Sequence, residues 1–137
     1  MLRRGTRRSE PTERPLHLSL KLTRDPRSAA AARRFVSRVL AEAGRGEGDG
    51  VVVLLTNELV TNAILHADSE IDVVVDVEDT TVRVEVRDAS KRAPVRRQGE
   101  PTSMAGRGLS LVEALASDWG VDTIPGDGKA VWFEVAV

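Results

Sequence analysis

Three groups of residues in this 137-residue sequence have the types and spacing to do chemistry: Glu58 with Asn62, Asp88, and the run Gly106-Arg107-Gly108-Leu109. On a helix turning about 100° per residue, Asn62 falls about 40° from Glu58 and His66 about 80°, so the three share one stripe. Val51, Leu54, Leu55 and Leu65 flank that stripe, and Val52, Val53, Val60 and Ile64 cover much of the opposite side. A helix apolar nearly all round is expected to be sandwiched between other elements. A carboxylate on such a helix must find a partner side chain, water, or a ligand carrying a metal, because burying it alone costs several kcal/mol. In Gly106-Arg107-Gly108 the glycines let a backbone approach a ligand, and free amides at a helix start favour an anion such as phosphate. The same run also serves as a plain turn. Asp88 ends a Val-rich segment and begins a loop, either as a site residue or as a turn-forming Asp.

The elements that must position these residues follow from period and punctuation. Leu16, Leu18, Leu20 and Leu22 alternate with polar residues, which predicts a half-buried strand with one face on a core. Asp25-Pro26 opens a helix running through Ala29–Ala32, Phe35, Val36, Val39 and Leu40, and the Gly-rich run from Gly44 to Gly50 ends it. A second helix covers roughly Val51 to His66. Ile71–Val77 and Thr81–Arg87 read as strands joined by the tight turn Glu78-Asp79-Thr80. Residues Asp88 to Ser103 hold Lys91, Arg92, Arg96 and Arg97 with little apolar content, a long mobile loop that either closes over negative charge or forms a solvated surface. Met104 to Ser117 is a third helix, entered through Ala105-Gly106-Arg107-Gly108. Trp119–Ile124 and Lys129–Val137 close the chain as a hairpin around Pro125-Gly126-Asp127-Gly128. The order β-α-α-β-β-α-β-β is an α+β sandwich, a mostly antiparallel sheet of about five strands with three helices on one face.

Composition narrows the function classes. The chain suits a single domain over 15–137, preceded by a basic arm, 1–14, that carries five arginines and no apolar run of a secretory signal. Without cysteine there are no disulfides, Cys-based metal sites or thiol catalysis, which fits a cytoplasmic protein. A net charge of −1 gives no general attraction to nucleic acid or an anionic membrane, and no apolar run reaches the length of a membrane span.

Glu58-Leu59-Val60-Thr61-Asn62-Ala63-Ile64-Leu65-His66-Ala67 resembles the N box of the GHKL ATPase superfamily, and within it the anti-sigma-factor serine kinase branch of bacteria. Val86-Arg87-Asp88-Ala89-Ser90 stands where that family has its G1 box, and Gly106-Arg107-Gly108-Leu109-Ser110-Leu111-Val112 resembles the G2 box. The resemblance covers about residues 16–137. It implies the Bergerat ATP-binding fold, with Mg²⁺ held through Asn62 and the phosphates of ATP. By the same resemblance Glu58 polarises the nucleophile, a Ser hydroxyl or water, and Asp88 accepts a hydrogen bond from the adenine amino group. Gly106, Gly108 and Leu109 would offer amides to the phosphates, with Arg107 among them and 89–105 as the ATP lid. His66 matches the family pattern and is expected to pack.

Two departures from the pattern stand out. The usual G1 box is Asp-x-Gly-x-Gly, whereas Asp88-Ala89-Ser90-Lys91-Arg92 has no glycine. The final hairpin usually carries Thr after Gly-x-Gly, and here Gly126-Asp127-Gly128 leads to Lys129-Ala130, one hydroxyl fewer. The implied function is an ATP-dependent serine kinase that holds a sigma factor and phosphorylates a Ser on its antagonist, with a homodimer suggested by relatives. The alternative is a partner-binding module in which ATP is structural or not bound.

Overall fold

The computed structural model describes residues 15–45, 50–89, 104–124 and 128–136. The 1–14 arm and nearly all of the expected lid lie outside the described residues. The elements are β1 (Leu16–Leu22), α1 (Ser28–Glu42), α2 (Gly50–His66), β2 (Ile71–Val77), β3 (Thr81–Asp88), α3 (Met104–Leu115), β4 (Asp118–Ile124) and β5 (Gly128–Ala136). The strands form one five-stranded sheet in the order β1-β2-β3-β5-β4, every neighbouring pair antiparallel. This is the expected α+β architecture.

One parity of the strands builds the core. Leu22, Ile71, Val73, Val75, Val77, Val82, Val84, Val86, Val131 and Phe133 share a face and join Val36, Leu40, Leu55, Val60, Leu109 and Val112 of the helices in a single buried cluster. All three helices therefore lie on that face. Each fully buried Val, Leu or Phe contributes on the order of 1.5–3 kcal/mol, which is what a core with so few aromatic residues relies on. The other face carries the opposite parity and pairs its charges. Arg83 bridges Glu85 and Glu134, each at 3.3 Å, and its guanidinium lies 4.0 Å from the Trp132 ring centre. Arg87 also bonds Glu85.

Several local features differ from expectation. Asp25 does take a free amide, accepting from Arg27 N–H at 2.8 Å, but the helix proper begins at Ser28. The Arg27 guanidinium on the same carboxylate, together with that amide, holds Asp25 at a pKa of about 2. Helix α1 ends in a Schellman turn: Gly44 (φ 77°) donates to Ala41 O at 3.0 Å and Arg45 to Leu40 O at 2.7 Å. On β1, Leu22 is buried but Leu18 stays 38% exposed, because an edge strand has one sheet neighbour. Among the described residues no helix is long and apolar enough to cross a membrane.

Candidate functional site

Helix α2 is the central helix of the layer, packed between α1 and α3 and over β2, β3 and β5. It is not dry all round, as its composition suggests. Leu54 and Leu65 are 40% and 50% exposed, since one layer of helices leaves the back of its middle member facing out. The buried positions are Val52, Leu55, Thr56, Leu59, Val60 and Asn62. On the helical wheel these span about 160°, with Asn62 at one edge and Glu58 about 40° beyond it. Glu58 is accordingly half-buried, whereas Asn62 is 8% exposed.

The flank on which the pair lies follows from α1. Arg33 donates to Asn57 Oδ1 at 2.5 Å, and Arg24 donates to Ile64 O at 3.1 Å, so the Asn57–Ile64 side of α2 meets α1 and its entry loop. Glu58 and Asn62 sit about 100–140° from Asn57 on the wheel, on the flank toward α3. Buried Thr56 is satisfied by its own helix, donating to Val52 O at 2.8 Å. Asn62 Oδ1 is different: it is buried and has no hydrogen-bond partner among the described residues. An unsatisfied buried carbonyl costs about 1–3 kcal/mol, and a donor or a hard cation arriving from outside would relieve it.

Asp88 ends β3 on the parity of Val82, Val84 and Val86, so its carboxylate emerges on the helix-covered face. Ser69 positions this strand end by accepting Ala89 N–H at 2.9 Å. Opposite Asp88 in the β3–β5 register stands Lys129, whose Nζ donates to Asp88 Oδ1 at 3.1 Å with the two side chains only 10% and 4% exposed. Gly128 permits this close pairing. Its φ is 101°, and a Cβ there would lie 2.0 Å from Asp88 O and 2.5 Å from Ala89 Cα. Lys129 escaped the sequence reading as a site residue. The signal for it was available: in Lys129–Val135, period two places the lysine on the face of Val131 and Phe133, where a charge has to be explained.

Helix α3 starts at Met104, so Gly106 falls in its first turn, where amides lack intrahelical partners. Leu109 lies almost a turn further on and is 2% exposed within the core. The side chain of Arg107 is outside the described residues. An open cleft of about 480 Å³ touches Asp88 and Ala89, but Lys21, Glu70, Asp72 and Arg87 line it from the charged face of the sheet. Lys21 is paired there with Asp72 at 3.1 Å, and the cleft is separate from the Asn62 side.

The family model of the histidine kinase-like ATPase domain matches residues 22–135, which include every candidate residue above. The chain belongs to that family. No curated protein matches the chain significantly. Histidine kinase-like ATPase domains bind ATP with Mg²⁺, and the residues here fit such a ligand on an observation independent of the match. The oxygen of Asn62, without a partner among the described residues, is a hard donor of the kind Mg²⁺ takes, on the flank toward α3. By the family resemblance Asn62 and the first-turn amides of α3 would hold the metal and phosphates, and Asp88 would meet the base.

Proposed function

We propose that this chain is an ATP-binding regulator of the anti-sigma-factor serine kinase type. It would hold a sigma factor and phosphorylate a Ser on that factor's protein antagonist, acting as a homodimer in the cytoplasm. The observation that carries the nucleotide part of this reading is the buried Oδ1 of Asn62, without a partner among the described residues and one helical turn from half-buried Glu58. Bound Mg-ATP supplies the phosphoryl group and neutralises charge during transfer, chemistry that asks the protein mainly for positioning. Glu58 accepts the proton of the attacking Ser hydroxyl from a side chain still open to solvent, where a partner's serine can reach it. Asn62 orients the metal, and the start of α3 receives phosphate oxygens. Incubation of the purified chain with Mg-ATP and candidate antagonists is expected to give phosphoserine on one of them, and none with Glu58→Ala. Undiminished phosphorylation by that variant refutes the role of Glu58.

A second reading is favoured by a different observation, the engagement of Asp88 with Lys129 in place of a glycine-rich G1 turn. Here the domain is a partner-binding module whose nucleotide is structural or absent. Calorimetry with Mg-ATP separates the two: no heat up to millimolar nucleotide supports the module and excludes the kinase.

A further inference from the structure

Resting on the reading of Glu58 as the base for a partner's serine, we infer that the outward row of Leu54, Thr61 and Leu65 on α2 is the surface on which that serine-bearing protein docks. Among the described residues, five large apolar side chains stand well exposed. Leu18 and Val121 lie on the two edge strands, and Leu115 is the last residue of α3. Leu54 and Leu65, 40% and 50% exposed, instead share a helix with Glu58. A single exposed leucine needs no explanation, but these two are aligned. At about 100° per residue, Leu65 falls about 20° to one side of Leu54 and half-buried Thr61 about 20° to the other. At about 1.5 Å per residue the leucines stand about 16 Å apart along the axis, with Glu58 at a level between them.

The order of groups across this surface gives the partner its chemistry and its orientation. Glu58 lies about 40° round from Leu54 and Asn62 about 80°, on the flank toward α3. About 60–80° round the other way come Asn57 and Ile64, which meet Arg33 of α1 and Arg24 of its entry loop. Both arginines are exposed, and a guanidinium keeps donors beyond the one each spends on α2. Residues 24–42 hold five arginines against Asp25 and Glu42, and Asp25 is bound to Arg27. The α1 side of the leucine row is therefore basic. The partner that fits is an amphipathic segment with an acidic flank. Its apolar side chains cover Leu54 and Leu65, its carboxylates lie toward Arg24 and Arg33, and its serine falls on the Glu58 side. Seated the other way round, it would bring its carboxylates to Glu58, a juxtaposition of like charges that disfavours the pose.

The test combines phosphorylation kinetics with calorimetric titration of the full chain against purified candidate serine-bearing antagonists. Leu54→Gln and Leu65→Gln are each expected to raise KM and Kd for the antagonist about tenfold, the worth of the exposed leucine surface that docking covers. The double variant should lose about a hundredfold, since sites about 16 Å apart act independently. The kcat and the Kd for Mg-ATP stay at wild-type values. Glutamine forms helices about as well as leucine, so the variants keep the fold, which circular dichroism checks. Leu18→Gln, an exposed leucine on an edge strand, is the control and should change nothing. Arg33→Glu should weaken binding and reduce its dependence on salt. Folded leucine variants with unmoved KM and Kd overturn the inference and leave Glu58 as the base. So does a fall in kcat at constant KM, or an equal loss in Leu18→Gln. Binding without phosphorylation removes the kinase reading alone, and the Kd values of the leucine variants still decide the docking row. Absence of both binding and phosphorylation for every candidate overturns this inference and the kinase reading beneath it.

Discussion

Asn62→Leu puts the stability of the empty domain and its nucleotide affinity in opposition. The wild-type side chain is 8% exposed, and its Oδ1 is buried without a partner among the described residues. Leu has a similar branched shape and no oxygen to leave unsatisfied. Removing the orphan acceptor recovers about 1–3 kcal/mol, and a domain of this size gains roughly 3 °C of Tm per kcal/mol. The variant without nucleotide is therefore expected to melt about 3–9 °C above the wild type. With Mg-ATP at about 100 times its Kd, the wild type gains about 2.7 kcal/mol by mass action, or roughly 8 °C. On the proposed reading, in which that oxygen meets the metal, the variant gains little. Melting both proteins by circular dichroism with and without Mg-ATP measures all four values. A variant that melts below the wild type without nucleotide, or one that keeps the full Mg-ATP shift, refutes the assignment of Asn62 as a ligand residue.

Three further outcomes follow from named contacts. Glu58→Gln is expected to lower the rate of serine phosphorylation by about 100-fold or more with Tm nearly unchanged, because the half-buried side chain remains isosteric; phosphotransfer assays beside melts check both. Gly128→Ala should destabilise by roughly 2–5 kcal/mol in urea titration, combining a left-handed backbone penalty of about 1–2 kcal/mol with the displacement of β5 that a Cβ 2.0 Å from Asp88 O demands. The same variant should weaken nucleotide binding through the Asp88–Lys129 register. Asp25 has its folded pKa lowered to about 2 by the Arg27 side chain and amide, so its stabilisation is complete above the ordinary carboxylate value and lost as pH falls toward 2. Melts from pH 5 to pH 2 should therefore show the gap between wild type and Asp25→Asn narrowing across that window.

How far the site could be read beforehand depended on the kind of signal each residue carries. Glu58 and Asn62 are polar residues at helical spacing on an apolar segment, and periodicity alone singles them out. It does not say which is dry. The wheel treats the whole circumference alike, whereas the helix layer buries one arc, leaving Leu54 and Leu65 exposed, Glu58 at the margin and Asn62 inside. Asp88 was legible as the end of an alternating strand. Its partner was not, because Lys129 lies 41 residues away and meets it only through a strand order in which β5 passes between β3 and β4.

By itself, the sequence determined the elements and their faces: the valine alternation of β2 and β3, the near-continuous apolar surface of α2, the glycines at Gly44 and Gly128. These are local properties, set by side-chain period and backbone freedom. Tertiary structure decided the electrostatic character of the candidate site. Burial left an amide oxygen on α2 without a partner among the described residues, and antiparallel pairing placed a lysine against the carboxylate that the family pattern leaves for the base. Both depend on which surfaces exclude water and which strands become neighbours. Those are properties of the packed chain, and no segment carries them alone.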